Sequence, residues 1–220
     1  MDGKVCGHLL EGISLSAAVE GRCSVRRFLP DAVPRDDVRA MVACATRAAN
    51  AGNAQCWRFV AVEDEATRRA MAAAVDTALD EVATWPECAG RAADVKAVRA
   101  YATFFAAAPV VVAVFVLPYE SRGDELLRLR GLSREEHDRL RQRPDLQSIG
   151  AAVQVLCTAA HAMGYGSCWM TAPVIAAPAI EELLGVEADA HLAAVVPVGR
   201  PAGGPRRGPR HSVDEVLEFR

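Results

Sequence analysis

Apolar residues in this chain recur at helical spacing over several long stretches and run unbroken over a few short ones, which predicts helices packed around a small buried sheet. Residues 1–8 carry no pattern, and Leu15, Ala18 and Val19 mark a short helix over residues 9–20. Pro34, followed by Asp36 and Asp37, opens a second helix with a proline and acids in its first turn; it should run through Val38, Met41, Val42 and Ala45 to about Ala49. Residues 50–53 form a turn by composition, and Trp57–Val62 has the apolar and β-branched content of a strand. Asp64 can cap a helix carrying Met71, Val75, Leu79 and Val82 that ends at Trp85-Pro86, and a further helix is expected over residues 92–105.

Beyond Pro109, residues 110–117 are a continuous apolar run of the kind that fills the middle of a sheet, buried on both faces. Residues 119–144 are densely charged, helical in spacing and poor in apolar anchors, so they read as an exposed excursion. A strong helix is predicted over residues 146–163, where Ile149, Val153, Leu156 and Ala160 share one broad face, and Gly164 stops it. Residues 165–170 read as a short extended segment, 178–184 as a helix ended by Gly185, and 192–198 as another apolar strand. The glycines and prolines after Gly199 predict a flexible arm with no core of its own, and no internal repeat is present.

Composition narrows this to one globular domain: 220 residues, 51% hydrophobic and 24% charged, can bury a substantial core. The net charge of −3 makes the basic clusters local features, suited to a small anion and not to a nucleic-acid surface. Seven cysteines (Cys6, Cys23, Cys44, Cys56, Cys88, Cys157, Cys168) include no Cys-x-x-Cys pair, so free thiols in a reducing cytoplasm are expected, with neither a metal site nor a disulfide framework. No basic-then-apolar leader opens the sequence, and its longest apolar run, residues 106–117, contains Pro109 and is too short to span a bilayer. A soluble, cytoplasmic protein without membrane or nucleic-acid partners is the expectation. The histidines (His8, His137, His161, His191, His211) show no metal or triad spacing, and neither a Gly-x-Ser-x-Gly elbow nor a Walker loop occurs, which disfavours acyl transfer and nucleotide hydrolysis.

The candidate chemistry lies in Gly21-Arg22-Cys23-Ser24-Val25-Arg26-Arg27-Phe28. Taken singly, an arginine run is ordinarily a solvated face. Together with Asn53-Ala54-Gln55-Cys56-Trp57 and the basic stretch at residues 205–210, it looks like one wall of an anion and ring site.

On these residues the chain resembles the FMN-dependent nitroreductase family. The octet is similar to that family's Arg-x-Ser-x-Arg/Lys-x-Phe signature, residues 48–57 to its asparagine loop, 148–169 to its central helix and Gly-x-Gly segment, and 196–215 to its closing Gly-x-Pro and basic arm. Four motifs in order span nearly the whole chain. Departures occur too. Ala49 and Cys56 stand where prolines are common, Asn50-Ala51 replaces a serine pair, Cys23 takes a frequently basic position, and Gly208 lies where a second basic residue often precedes Arg210.

The resemblance implies an α+β, nitroreductase-like sandwich with a small central mixed or antiparallel sheet flanked by helices. It implies an interlocked homodimer of single domains whose arm, residues 200–220, reaches the partner. FMN would be bound and NAD(P)H would serve as co-substrate. Arg22, Ser24 and Arg210 are carried over to the phosphate, with Arg207 able to supply the charge that Gly208 lacks and Cys23 beside them. Arg26 is carried over to the flavin's pyrimidine side, where a cation stabilises charge developing on reduction. Asn53 belongs to the same polar edge, with Ala51 and Gln55 from its loop, and the backbone of Met170, Thr171 and Ala172 to flavin N5. Trp57 reads as core, Trp169 equally as core or as a neighbour of the flavin, and Arg27 as surface.

The implied activity passes hydride from NAD(P)H through N5 to a nitroaromatic, quinone or related acceptor, with no catalytic side chain required. The same fold also serves flavin-dependent dehydrogenases and oxidases, dehalogenases and flavin-consuming enzymes. A non-catalytic module that binds flavin or a partner protein is the alternative of another class.

Overall fold

The computed structural model describes residues 13–205 and 207–220, so Cys6, His8 and the first part of the helix expected over residues 9–20 lie outside the described residues. Within them that helix is α1, Leu15–Gly21, started by Ser14, whose hydroxyl accepts from the Ala17 N–H at 3.2 Å. The second helix, α2, spans Arg35–Ala45 with Pro34 as its N-cap. It ends earlier than expected because residues 46–50 turn away to enter a single 3₁₀ turn, Ala51–Asn53.

Among the described residues four strands form one antiparallel sheet in the order β1-β2-β4-β3: β1 Trp57–Val62, β2 Val110–Val116, β3 Gly166–Ser167 and β4 His191–Gly199. Every side chain of β2 is buried. A two-face apolar run therefore sits in an antiparallel sheet here, because helices cover both faces. Val110, Val112, Val114 and Val116 face α2 and the long helix α7, Pro144–Ala162. Val111, Ala113 and Phe115 face Met71, Val75 and Leu79 of α3, Glu65–Ala83, and Ile180 of α8, Ala177–Leu184. The β2–β4 register slips by one residue between Val114 and Phe115, leaving Ala193 as a bulge.

Asp64 caps α3 as its sequence position suggests, accepting from the Thr67 N–H at 2.7 Å. Helix α4 covers Ala92–Thr103 and tightens into a 3₁₀ turn, Phe104–Ala107, that delivers Phe105 to the core. The charged excursion folds into two capped helices, α5 Arg122–Leu129 and α6 Arg134–Arg141, each opened by a reciprocal capping box, Ser121 with Asp124 and Ser133 with Glu136. Residues 165–170 are less extended than expected: only Gly166–Ser167 forms strand, with one further bridge from Met170 to Val195. The arm after Gly199 carries one short helix, α9, Val213–Val216.

Candidate functional site

Where α1 stops, Arg22 takes an extended conformation and the octet runs along the sheet edge, joined to it by isolated bridges. Ser24 bridges Ser167, the Val25 N–H donates to Ser167 O at 2.9 Å, and the Leu29 N–H donates to Arg200 O at 2.8 Å. The arm closes the other side, its Ala202 N–H donating to Arg27 O at 3.0 Å. This pairing sets residues 24–29 beside residues 200–202. Arg22, Cys23, Ser24 and Arg26 line one side of this segment, while Val25 packs onto Gly166. A Cβ on Gly166 would lie 2.7 Å from Val25 Cβ, so the second glycine of Gly164-Tyr165-Gly166 is needed for the octet to dock.

The outward side opens on a cavity of about 430 Å³ lined by Val19, Glu20, Arg22, Cys23, Ser24, Arg26, Arg207, Gly208 and Arg210. Among the described residues, four guanidinium groups meet one carboxylate, Glu20, on its wall. Among the described residues Arg22, Arg26 and Arg210 form no ion pair, and the Arg207 guanidinium donates to the Gly21 carbonyl at 3.3 Å. Such a cluster of unneutralised planar cations with a hydroxyl favours a multiply charged oxyanion.

Two residues that the sequence reading did not single out brace the two ends of α7. His161, in the last turn of α7, packs against Gly21 so closely that a Cβ there would lie 2.2 Å from its Nε2. Its pKa is pushed down, by burial first and then by Arg207 and Arg22. Ser148, in the first turns of α7, accepts from the Ala51 N–H at 3.0 Å and donates to Pro144 O at 2.7 Å, which fixes the asparagine loop to the helix. Neither contact has a local sequence signal, since each joins segments about a hundred or more residues apart.

The remaining predicted residues lie elsewhere. Ala51, Asn53 and Gln55 sit in the loop at the α7 N-terminus, with Asn53 and Gln55 at positive φ (52° and 50°) and the Gln55 N–H donating to Asn50 Oδ1 at 2.9 Å. The thirteen residues from Ser148 to His161 advance roughly 20 Å along a helix, so this loop and the arginine cavity occupy opposite ends of α7. Met170 is buried, and its N–H and C=O both pair with Val195, at 3.0 and 2.9 Å. Thr171 and Ala172 follow it, and their amides donate to no other described group. Trp169 is half exposed with its ring edge over Gly150 of α7, whereas Trp57 is buried in the core as expected.

Burial raises the pKa of the Cys157 and Cys168 thiols, although nearby polar groups and arginines pull the other way, so both stay thiols at neutral pH. A larger cavity, about 920 Å³, lies under the α5–α6 excursion and is lined mostly by charged groups that already pair with one another. Among the described residues no helix is long and apolar enough to cross a membrane, and no group of three or more His, Cys, Asp or Glu residues could hold a metal ion.

Comparison with known proteins matches the nitroreductase family model to residues 19–200. A crystal structure of a BluB-like flavoprotein from Clostridium difficile 630 is similar at a TM-score of 0.85 and 29% identity, covering 94% of this chain and 99% of that one. The FMN-dependent nitroreductase NfnB from Mycobacterium smegmatis, crystallised with NADPH, shares the fold at a TM-score of 0.69 and 23% identity, over 93% of this chain and 97% of its own. Among curated proteins, 5,6-dimethylbenzimidazole synthase from Rhodospirillum rubrum is 43% identical over 54 residues, which is 24% of this chain and 26% of that enzyme. The chain thus matches about a quarter of the length of that curated relative.

Proposed function

The chain belongs to the nitroreductase family, and from that premise we propose that it is an FMN-dependent oxidoreductase in which NAD(P)H delivers hydride and a nitroaromatic, quinone or related acceptor takes it. The observation that supports this most is the cavity in which Arg22, Ser24 and Arg26 of the octet face Arg207 and Arg210 of the arm. That donor set fits a phosphate monoester, whose two charges at neutral pH need several charge-assisted hydrogen bonds, each worth about 1.5–3 kcal/mol. When bound, FMN supplies a two-electron carrier that receives and passes on hydride at N5.

In this reading Arg22, Ser24, Arg207 and Arg210 hold the phosphate, Cys23 lines the wall beside them, and Arg26 stabilises negative charge on the flavin's pyrimidine side. The amide of Met170 is taken up by Val195, so Thr171 and Ala172 are the residues with a backbone donor to offer N5. Ala51, Asn53 and Gln55 stand too far from the cavity to share its phosphate. They serve the ring end, in part that of a second subunit in an interlocked homodimer. The first half of the arm lies on its own octet, and its end, where Val213, Val216, Leu217 and Phe219 are exposed, is the part offered to the partner. An interface of this kind would bury roughly 2,000 Å² or more.

The test is optical. Purified protein should be yellow, or become so with FMN, and NADH or NADPH should bleach it anaerobically until an acceptor restores the colour. A colourless protein indifferent to FMN would sink the reading. The likeness to a BluB-like flavoprotein and to 5,6-dimethylbenzimidazole synthase favours a second reading, in which the flavin itself is consumed. Chromatographic detection of 5,6-dimethylbenzimidazole after aerobic incubation with FMN and NAD(P)H separates the two.

A further inference from the structure

His161 stands directly behind the anion cavity. Its ring fills the space over Gly21, the residue whose carbonyl accepts from Arg207 and whose chain continues into Arg22. The charges it senses are these two arginines, one from the octet and one from the arm. Glu20 of α1 and Cys23 line the same cavity, Arg26 and Arg210 complete its cationic wall, and Cys157 lies one turn back along α7. With the cavity free of anion, a proton on His161 would add a further cation to arginines that already repel one another. A dianion among the arginines reverses that balance, because it neutralises the charges that oppose the proton.

We propose that His161 is a proton-linked positioning residue of the anion site, taking up a proton when a dianionic phosphate group enters and thereby tightening its hold as pH falls. This rests on the reading that the cavity holds the phosphate end of FMN, but it concerns how the chain responds and not which reaction follows. The sign follows from linkage: an anion that raises the pKa of His161 must itself bind more tightly at lower pH, by at most one decade per pH unit for a single proton. FMN carries a second effect, since its own phosphate protonates near pH 6. Sulfate, which stays dianionic throughout, isolates the protein's part.

The experiment is calorimetric titration of the full chain with FMN, riboflavin and sulfate, in buffers of differing ionisation enthalpy, between pH 8 and 6. Sulfate affinity should rise by about 3- to 10-fold across that range with net proton uptake, FMN should show uptake at pH 7 and above, and riboflavin none. His161→Gln should bind sulfate with less than a twofold change over the same range and no uptake. Should that variant fail to fold, the imidazole resonance of His161 in the wild-type chain, titrated with and without sulfate, gives the same answer: its midpoint must move to higher pH with the anion. FMN binding that is independent of pH between 8 and 6.5, without proton uptake, would overturn the proposal and leave the FMN reading intact. Failure of both FMN and sulfate to bind would remove both.

Discussion

Gly21 is the residue on which the anion cavity turns. A methyl group there would meet the tip of the His161 imidazole and not backbone, so relief comes from swinging that ring aside more than from distorting the fold. Gly21→Ala is therefore expected to weaken FMN binding by about tenfold or more while lowering stability by roughly 1–3 kcal/mol; parallel fluorescence titrations and urea melts separate the two effects. Arg210 lines the same cavity. Arg210→Ala should lose one charge-assisted contact and weaken FMN binding about 10- to 100-fold, with little effect on riboflavin. An unchanged FMN affinity would remove Arg210 from the site.

Among the elements, the α5–α6 excursion is the one whose stability rests on charge. Asp124 is buried, accepts from the Arg141 guanidinium at 2.7 Å and lies 3.2 Å from His137. Arg141 first, with Ser121 assisting against the cost of burial, holds its carboxyl far below the usual carboxylate range. A depressed carboxylate pKa contributes stability that is complete above the unfolded value near 3.9 and is lost as pH falls below it. Protease cleavage within residues 121–141 should accordingly be slow at pH 5 and above and accelerate below about pH 4, and Asp124→Asn should show the faster rate already at neutral pH, at a cost of about 1–3 kcal/mol. The two capping boxes that shape this excursion were readable as Ser-x-x-Asp and Ser-x-x-Glu, yet the charge density of the region hid them. By contrast β2, α3 and α7 came within two residues of their expected bounds where a residue marked the end: Pro109 before β2, Asp64 before α3, Gly164 after α7. The octet, Asn53 and Arg210 were visible as residue types. That the octet bridges to the sheet edge and to the arm, and that His161 and Ser148 brace the two ends of α7, depends on pairings between distant segments, which no local pattern records.

For the molecule as a whole, β1 is an edge strand of the sheet among the described residues, and residues 213–219 include the exposed apolar side chains of Val213, Val216, Leu217 and Phe219. If that end is the part given to a second subunit, removing residues 211–220 should convert a dimer into a monomer by light scattering. Because Arg207 and Arg210 remain, phosphate affinity should fall less than dimerisation does; a truncated chain that stays dimeric would place the interface elsewhere. The buried central strand carries a different consequence. Every side chain of β2 lies in one of two separate cores, and its backbone is paired on both edges, to β1 and to β4. No partial opening can expose its amides without undocking a whole helical layer, so in heavy water Val112 and Val114 should be among the last protons of the protein to exchange, at a rate that reports global unfolding.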